Sequence, residues 1–483
     1  MANIRKIALF AAGGLFALLL LASVALVLFV DVNAHKPRLE AAASDALGME
    51  VRIGGRLGIG LFPGFQVTLE DVRIRNRGAD VASAKKTVLG IGLLPLLHNE
   101  LRVVTIGMKR PRISIEQDRD GKFNFEEPEG EAGKKTSEDA KGTRFSLDVA
   151  KISLSDGVLF HADKKTGEVL EAGVFNLDVG RLRLAGGKNQ DHLKNLSFSA
   201  EFACKEFRKG SLAVSNLKLR IEGKDGVIDL NPVTMRLFGG QGSGSLRADL
   251  SGSVPQYNVR YSLSRFRIEE FLKVLSPKKS AEGSVDFTSS LSTRGKTANE
   301  MKRTANGEVS LRGENLTLDG VDLDRKVSRF EASQSFNLVD VGAFFIVGPF
   351  APLITKGYDF AGLFKGSGGN SRIRTLVSVW KVERGIARAK DVAMATNENR
   401  IALTGGLDFV NERFDDVTVA VVDGKGCANV RQKIHGPFRK PVVEKARFLQ
   451  TVAGPVLKLF RQAKNLFGGR CEVFYAGSVA PPE

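Results

Sequence analysis

Tryptophan occurs once in this chain of 483 residues, tyrosine four times, histidine five times and cysteine three times. Three cysteines are too few for a disulfide framework, though they allow one bridge and one spare thiol. His35, His98, His161, His192 and His435 are scattered, with no His-x₃-His pair and no HExxH helix for zinc. Gly-x-Ser-x-Gly, a P-loop and a complete GxGxxG are also missing, which removes the usual hydrolase and nucleotide signatures. Carboxylates fall mainly in turns such as Asp120-Gly121 and Asp225-Gly226, where their ordinary use is structural. The expectation is a protein that is not an enzyme and has no metal or cofactor site.

Phenylalanine, glycine and positive charge are plentiful. There are 31 Phe, 52 Gly and a formal charge of +17 from 71 Lys+Arg against 54 Asp+Glu. Glycine therefore exceeds its usual ~7 %, which favours many turns. Phe supplies apolar area without a hydrogen-bond requirement. Apolar residues at 43 % exclude a disordered chain. The basic balance invites nucleic acid, but no RNP-type motif accompanies the Phe-rich alternation, and no nucleic-acid partner is expected.

One long apolar run stands apart. Ile7 to Val30 carry no charge, Pro or Asn, enough helix at ~1.5 Å per residue to span a ~30 Å hydrocarbon core. Arg5 and Lys6 precede it and Asp31 closes it, which orients the N-terminus to the cytoplasm and the bulk outside. A cleaved signal peptide is the alternative. The run is longer than a signal core, and Val27-Leu28-Phe29-Val30 stands where a small-x-small site belongs. Outside the cytoplasm disulfides persist, so Cys427 and Cys471 are candidates for a bridge around a basic segment, with Cys204 left over; three unpaired thiols are the alternative. Anionic lipid or lipopolysaccharide is the natural partner for the charge there.

The middle of the chain alternates with period two. Arg56 to Phe62 alternate, Pro63-Gly64 turns the chain, and Phe65 to Leu69 alternate again. After Glu70-Asp71 the phase shifts by one to Val72 and Ile74, as a bulge would produce. The pattern recurs at Arg112–Glu116, Lys122–Phe125, Phe145–Leu154, Leu212–Ile221, Ser284–Leu291, Glu308–Leu318 and Ile401–Phe409. Short helices are expected after Pro37, ending at Gly48, and at Ile268–Leu275, Asn299–Thr304 and Asp324–Ser335. Strands thus dominate. A sandwich, a barrel and an elongated curved sheet all give this alternation, and periodicity does not choose among them.

The C-terminal segment is basic. Between Lys425 and Arg470 eleven cations face Glu444 alone. Leu449, Val452, Val456, Leu459, Phe460, Ala463 and Phe467 recur at three and four, so Val442–Phe467 reads as an amphipathic helix kinked at Gly454-Pro455. It either caps the end of a sheet or lies among anionic head groups through Lys458, Arg461 and Lys464.

Val30-Asp31-Val32-Asn33, Lys36-Pro37, Val51-Arg52-Ile53-Gly54-Gly55 and Leu61-Phe62-Pro63-Gly64 resemble the opening of AsmA-family proteins. The order continues with Lys109–Ile113, Asp120–Phe125, Leu237–Gly240, Gly307–Gly313 and Leu318–Leu323. It closes with Gly385-Ile386-Ala387, Lys390–Thr396, Asn399–Ala402, Gly405–Phe409 and Ile434–Pro437. The resemblance implies a bacterial protein anchored in the inner membrane by one span, with its bulk in the periplasm. It implies a mainly β fold: the transmembrane helix, then an elongated, curved antiparallel sheet folded into an open, taco-like apolar groove, a few short helices, and the C-terminal amphipathic helix. The family's link to outer-membrane biogenesis implies transfer of phospholipid between the envelope membranes. A scaffold that assists envelope assembly without carrying lipid is the alternative.

On this reading 1–31 are the anchor, 32–125 an N-terminal β unit and 126–143 a polar linker. Residues 144–424 form the extended groove, and 425–483 the basic C-terminal segment. The groove would be lined by Leu57, Ile59, Leu61, Phe65, Val67 and Leu69, extended by Ile113, Ile115, Phe123 and Phe125. Exposed acyl chain costs ~0.8 kcal/mol per CH₂, so such a wall must be continuous. About 20–25 strands at ~4.8 Å would extend roughly 100–120 Å, and a protein partner is expected at the far end.

Overall fold

The computed structural model of the protein describes residues 32–60, 64–92, 103–126, 147–184, 194–275, 281–320, 322–325, 327–328, 345, 369–448 and 471–482. They fall into two compact units, Met1–Gly226 and Val227–Glu483. The division lies at the Asp225-Gly226 turn, inside the stretch 144–424 that the sequence presents as one region.

The first unit opens with a 3-10 turn, Val32–His35, and helix α1, Lys36–Leu47. Pro37 suits a helix start, where its missing N–H has no partner to lose, and Gly48 at φ +65° ends the helix. Strands follow: β1 (Glu50–Ile53), β2 (Leu57–Gly60), β3 (Gln66–Asn76), β4 (Ala79–Ile91), β5 (Val103–Gln117), β6 (Leu147–Asp163), β7 (Val169–Leu184), β8 (Leu196–Lys209) and β9 (Leu212–Lys224). The Ile53 N–H donates to Glu40 Oε1 (2.6 Å) and the Val51 N–H to Ser44 Oγ (2.9 Å), which fixes α1 against the edge of the sheet. β1 and β2 pair in tandem with β3, and each later strand pairs with its predecessor. No ladder among the described residues joins β9 back to β1 or β2. This sheet is open, not a barrel.

One pairing departs from the expected antiparallel pattern: β5 and β6 are parallel. Parallel neighbours need a long return connection, and residues 118–146, with the polar stretch 126–142, supply it.

The second unit contains β10 (Val227–Leu237), β11 (Gly240–Asp249), β12 (Gln256–Arg267), α2 (Ile268–Leu275), β13 (Ala281–Glu282), β14 (Ser284–Arg294) and α3 (Ala298–Thr304). It continues with β15 (Asn306–Asp319), β16 (Asn370–Glu383), β17 (Ile386–Ala395), β18 (Arg400–Asp408), β19 (Arg413–Val422), β20 (Ala428–Pro437), β21 (Val442–Val443) and β22 (Arg447–Phe448). All its described pairings are antiparallel. Its β16–β20 region is buried on both faces. On one, Leu376, Trp380, Met394, Ile401, Leu403 and Val419 pack with Leu323, Val327 and Phe345. On the other, Val377, Val379, Ala393, Ala402 and Ala420 lie under Tyr475 and Val479.

The C-terminal segment that provides this cover is anchored twice. Cys427 and Cys471 are bridged, with Cα atoms 6.0 Å apart, and Cys204 is free and buried. The Tyr475 hydroxyl donates to Asp391 Oδ1 (2.6 Å), Ser478 Oγ donates to Asp391 Oδ2 (2.6 Å), and Arg400 Nη1 donates to the Val479 carbonyl (3.0 Å).

The expected helix Val442–Phe467 is corrected at its start. Val442–Val443 and Arg447–Phe448 are short strands on β20. Pro441 precedes paired β-branched residues that suit a pleated edge better than a first helical turn. The remainder, 449–470, with Lys458, Arg461 and Lys464, lies outside the described residues, as does the Ile7–Val30 run. Among the described residues no helix is long and apolar enough to cross a membrane.

Candidate functional site

The register of the first unit aligns apolar side chains into transverse rows. Ile59, Val67, Leu89, Ile106, Ile152, Val179, Ala200 and Ile221 are successive partners across eight strands. The next row runs Leu57, Leu69, Thr87, Met108, Leu154, Leu177, Phe202 and Leu219. Farther along the strands a parallel row runs Val51, Ile74, Ala82, Ile113, Leu159, Ala172, Phe207 and Val214. Seven inter-strand steps of ~4.8 Å make each row roughly 34 Å long.

Between these rows the strands change phase together. Asp71, Arg110, Asp156, Val174 and Asn216 have φ of +51°, +49°, +55°, +49° and +52°. They lie on a line across the sheet that jogs at the β6–β7 bulge, and Lys85 and Lys205 complete it on β4 and β8. A left-handed residue inside a strand breaks the alternation and bends the strand. On β5 the apolar positions are therefore even before the line (Ile106, Met108) and odd after it (Pro111, Ile113, Ile115). On β9 they pass from Val214 to Leu217, Leu219 and Ile221. Because every strand inverts at the same place, both halves keep their apolar residues on one face.

That face is the inside of the bend. All seven residues on the line are exposed, whereas Phe175, Ala172 and Cys204 are buried beside it. Side chains from both halves, Leu154 and Phe202 from one and Ile113, Leu159 and Phe207 from the other, gather around these three. The Phe175 ring covers Gly157, where a Cβ would stand 2.4 Å from it. Burial pushes the Cys204 thiol above its ordinary pKa, so it packs as a small apolar group.

Away from this floor Val51, Ile53 and Leu57 are buried on β1 and β2, and much of the rest of the apolar face is half-buried. Ile59, Val67, Leu69, Leu89, Ile106, Ile152, Leu177 and Leu219 all keep part of their surface accessible. The 3-10 turn and α1 are the unit's only described helices, and α1 is tied to β1 at one edge. The opposite face is polar and solvated. Arg183 faces Asp148 (3.6 Å), Lys151 reaches Asp178 (3.7 Å) and Arg220 faces Glu201 (2.9 Å). Exposed cross-strand pairs of this kind contribute about 0.2–1 kcal/mol each, so they mark a solvent face more than they stabilise it.

Of the lining residues expected from sequence, Leu57, Ile59, Val67, Leu69 and Ile113 lie on the rows. Phe65 is half-buried just before β3, in phase with Val67. Ile115 stands one step beyond the last row, beside His161, whose Nδ1 lies 3.1 Å from the Ile115 carbonyl. Leu61 lies outside the described residues. Phe123 makes an isolated antiparallel bridge to Gln117 and Phe125 follows it in a turn, so neither stands in the extended strand expected at Lys122–Phe125. Asn124 donates its side-chain N–H to the Ser114 carbonyl (2.8 Å) and accepts from the Glu116 N–H (3.1 Å), occupying groups that a paired strand would use. The two rings stack on each other at 5.2 Å, with Phe125 43 % exposed.

The larger part of the lining, on β4 and β6–β9, was missed. Its signal was available as polar doublets interrupting apolar alternation: Lys85-Lys86, Lys109-Arg110, Ser155-Asp156, Lys205-Glu206 and Ser215-Asn216 repeat what Glu70-Asp71 does on β3.

An open, creased sheet with one apolar face belongs to the class of extended β proteins that present a trough in place of a closed core. The chain belongs to the AsmA family, whose sequence profile matches residues 1–187 and again 187–346. Membership suggests a role in the cell envelope, in outer-membrane biogenesis or in lipid handling. A comparison with curated proteins found no match.

Proposed function

We propose that the protein is an inner-membrane-anchored, periplasmic carrier of phospholipid. Acyl chains lie against the apolar rows of the first unit while head groups stay wet. The half-buried rows carry this reading. A row roughly 34 Å long exceeds an extended acyl chain, and covering it with hydrocarbon removes apolar area from water at ~25 cal/mol per Å². Residues 7–30 supply the membrane tether and source of lipid. The protein works without catalysis, and anionic envelope lipids and a distal protein are its partners.

Photocrosslinking from the full chain in cells tests this. A photoreactive residue at Val67 or Phe202, on the apolar face, is expected to capture phospholipid; one at Lys218, on the polar face of β9, is not. Adducts only to protein at the two apolar positions, or equal lipid capture at Lys218, would replace the carrier with a scaffold.

A further inference from the structure

The second unit holds a cleft of about 300 Å³ where the ends of β12 and β14, helix α3 and the β16–β17 turn meet. Arg294, Arg303 and Arg384 line it together with Asn258, Ser292 and Asn306. Each arginine comes from a different element: Arg294 ends β14 opposite Gln256, Arg303 is the penultimate residue of α3, and Arg384 occupies the turn at φ +49°. The Arg384 N–H donates to Asn306 Oδ1 (3.1 Å). The Arg294 N–H donates to Thr304 Oγ1 (3.0 Å), and Thr293 Oγ1 donates to the Met301 carbonyl (2.5 Å). The backbones that carry the three side chains are thus held in place before any ligand arrives.

Some surface cations of this unit face carboxylates at ion-pair distance. Arg247 meets Asp229 at 2.8 Å, Lys390 meets Glu308 at 2.9 Å, and Lys302 and Arg388 meet Glu412 and Asp415 at 3.4 Å. In the cleft no carboxylate among the described residues stands within ion-pair distance of the three guanidiniums. Glu383, beside Arg384 in sequence, is engaged by Lys381 (2.6 Å), and Glu300 on α3 accepts from the Lys296 N–H (2.8 Å). Three arginines line one cleft, and Glu383 acts on Arg384 only from beyond ion-pair distance, which leaves a positive balance there that favours a bound anion. Guanidinium forks match the paired oxygens of a phosphate better than a point charge does.

The geometry points to a binding site for a phosphate-bearing anion, either a free phosphate or the head group of an anionic phospholipid, independent of the apolar rows of the first unit. The full chain in non-ionic detergent, titrated at fixed ionic strength with inorganic phosphate and separately with dihexanoyl phosphatidylglycerol in mixed micelles, tests it. Binding of phosphate alone assigns a free anion, and binding of the phosphatidylglycerol assigns a head group; binding of neither overturns the site. The triple variant R294Q/R303Q/R384Q is expected to lose about tenfold or more in affinity, as loss of several charge-assisted hydrogen bonds requires. The charge-matched variant R183Q/R220Q/R247Q, whose arginines already face carboxylates, is expected to bind as the unmodified protein does. Equal loss in both variants would reduce the effect to net charge and overturn the site. R294K/R303K/R384K keeps the charge and removes the forks, and intermediate affinity is expected. Should the glutamine variant fail to fold, this one decides: unchanged affinity would overturn guanidinium recognition.

Discussion

The two units use the same alternating strands for different ends. In the second, β16–β20 are covered on both faces, and Trp380, Leu376, Met394 and Ile401 are fully buried. In the first, one face is solvated, and much of the other is half-buried, with full burial near the line where the strands bend and on β1 and β2. The difference lies in what the chain supplies to cover the sheet. Tyr475 and Val479 cover one face of the second unit, and Leu323, Val327 and Phe345 the other; among the described residues of the first, α1 reaches only the edge. A filled interior is stable but has no room for a guest. An unfilled one gives up some stability and keeps the room.

Mutations should separate these two economies. Trp380→Ala, which empties a filled interior, is expected to cost about 3–5 kcal/mol in urea unfolding followed on the second unit. Phe202→Ala, on the half-buried rows, should cost well under half of that while reducing lipid capture from Val67 several-fold. Equal costs would mean that the first unit is packed as tightly as the second. Next in size is the covalent staple. Cys427→Ser removes a bridge across 44 residues, and a loss of about 2–4 kcal/mol is expected, confined to the second unit. Exchange protection of Tyr475 and Val479 amides should fall with it, while the β6–β8 amides remain as they were.

A smaller effect of opposite sign is expected at Val174. It is a β-branched residue at φ +49°, where such a side chain is strained. Val174→Gly should stabilise the first unit by about 1 kcal/mol through relief of that strain, net of glycine's greater unfolded-state freedom. Destabilisation would show that the Val174 side chain, exposed on the polar face, holds a contact that outweighs its backbone.

The smallest effect concerns pH. Burial raises the pKa of Asp391, but hydrogen bonds from Ser478 and Tyr475 outweigh it and hold the carboxyl below its ordinary value of 3.8. A group depressed in the folded state contributes stability that is present above its unfolded pKa and lost as pH falls through the folded one. Protection of the Ser478 and Val479 amides is therefore expected to be constant near neutrality and to fall below about pH 4. The Val419 amide, in the filled interior, should not follow. A parallel loss at both places would indicate general acid unfolding in place of release of the C-terminal segment.

Much of this was legible in the residues. Period-two alternation announced the strands, Pro37 and Gly48 bracketed α1, and the positions of Cys427 and Cys471 offered the bridge that forms. What could not be read had physical causes. A parallel joint between β5 and β6 leaves no mark on either strand, because alternation is the same whichever way a neighbour runs. Phe123 and Phe125 alternate like strand residues, yet Asn124 satisfies the backbone groups a strand would need. Val442-Val443 fit a helical period, but a sheet edge beside them was the stronger attraction. The crease was readable at Glu70-Asp71, since a phase shift is visible wherever apolar residues flank it. Its recurrence on the neighbouring strands becomes a single feature only when register places the interruptions side by side.

That alignment constrains how such a protein can grow. Lys205 and Asn216 stand equally far from the Gly210-Ser211 turn, so a hairpin copied whole carries its interruption with it and joins the array already in step. A copy that gains or loses one residue between turn and interruption would face half its length the wrong way. What descends from ancestor to duplicate is then a spacing, counted from the turn, and it can persist after the residues at either end have been replaced.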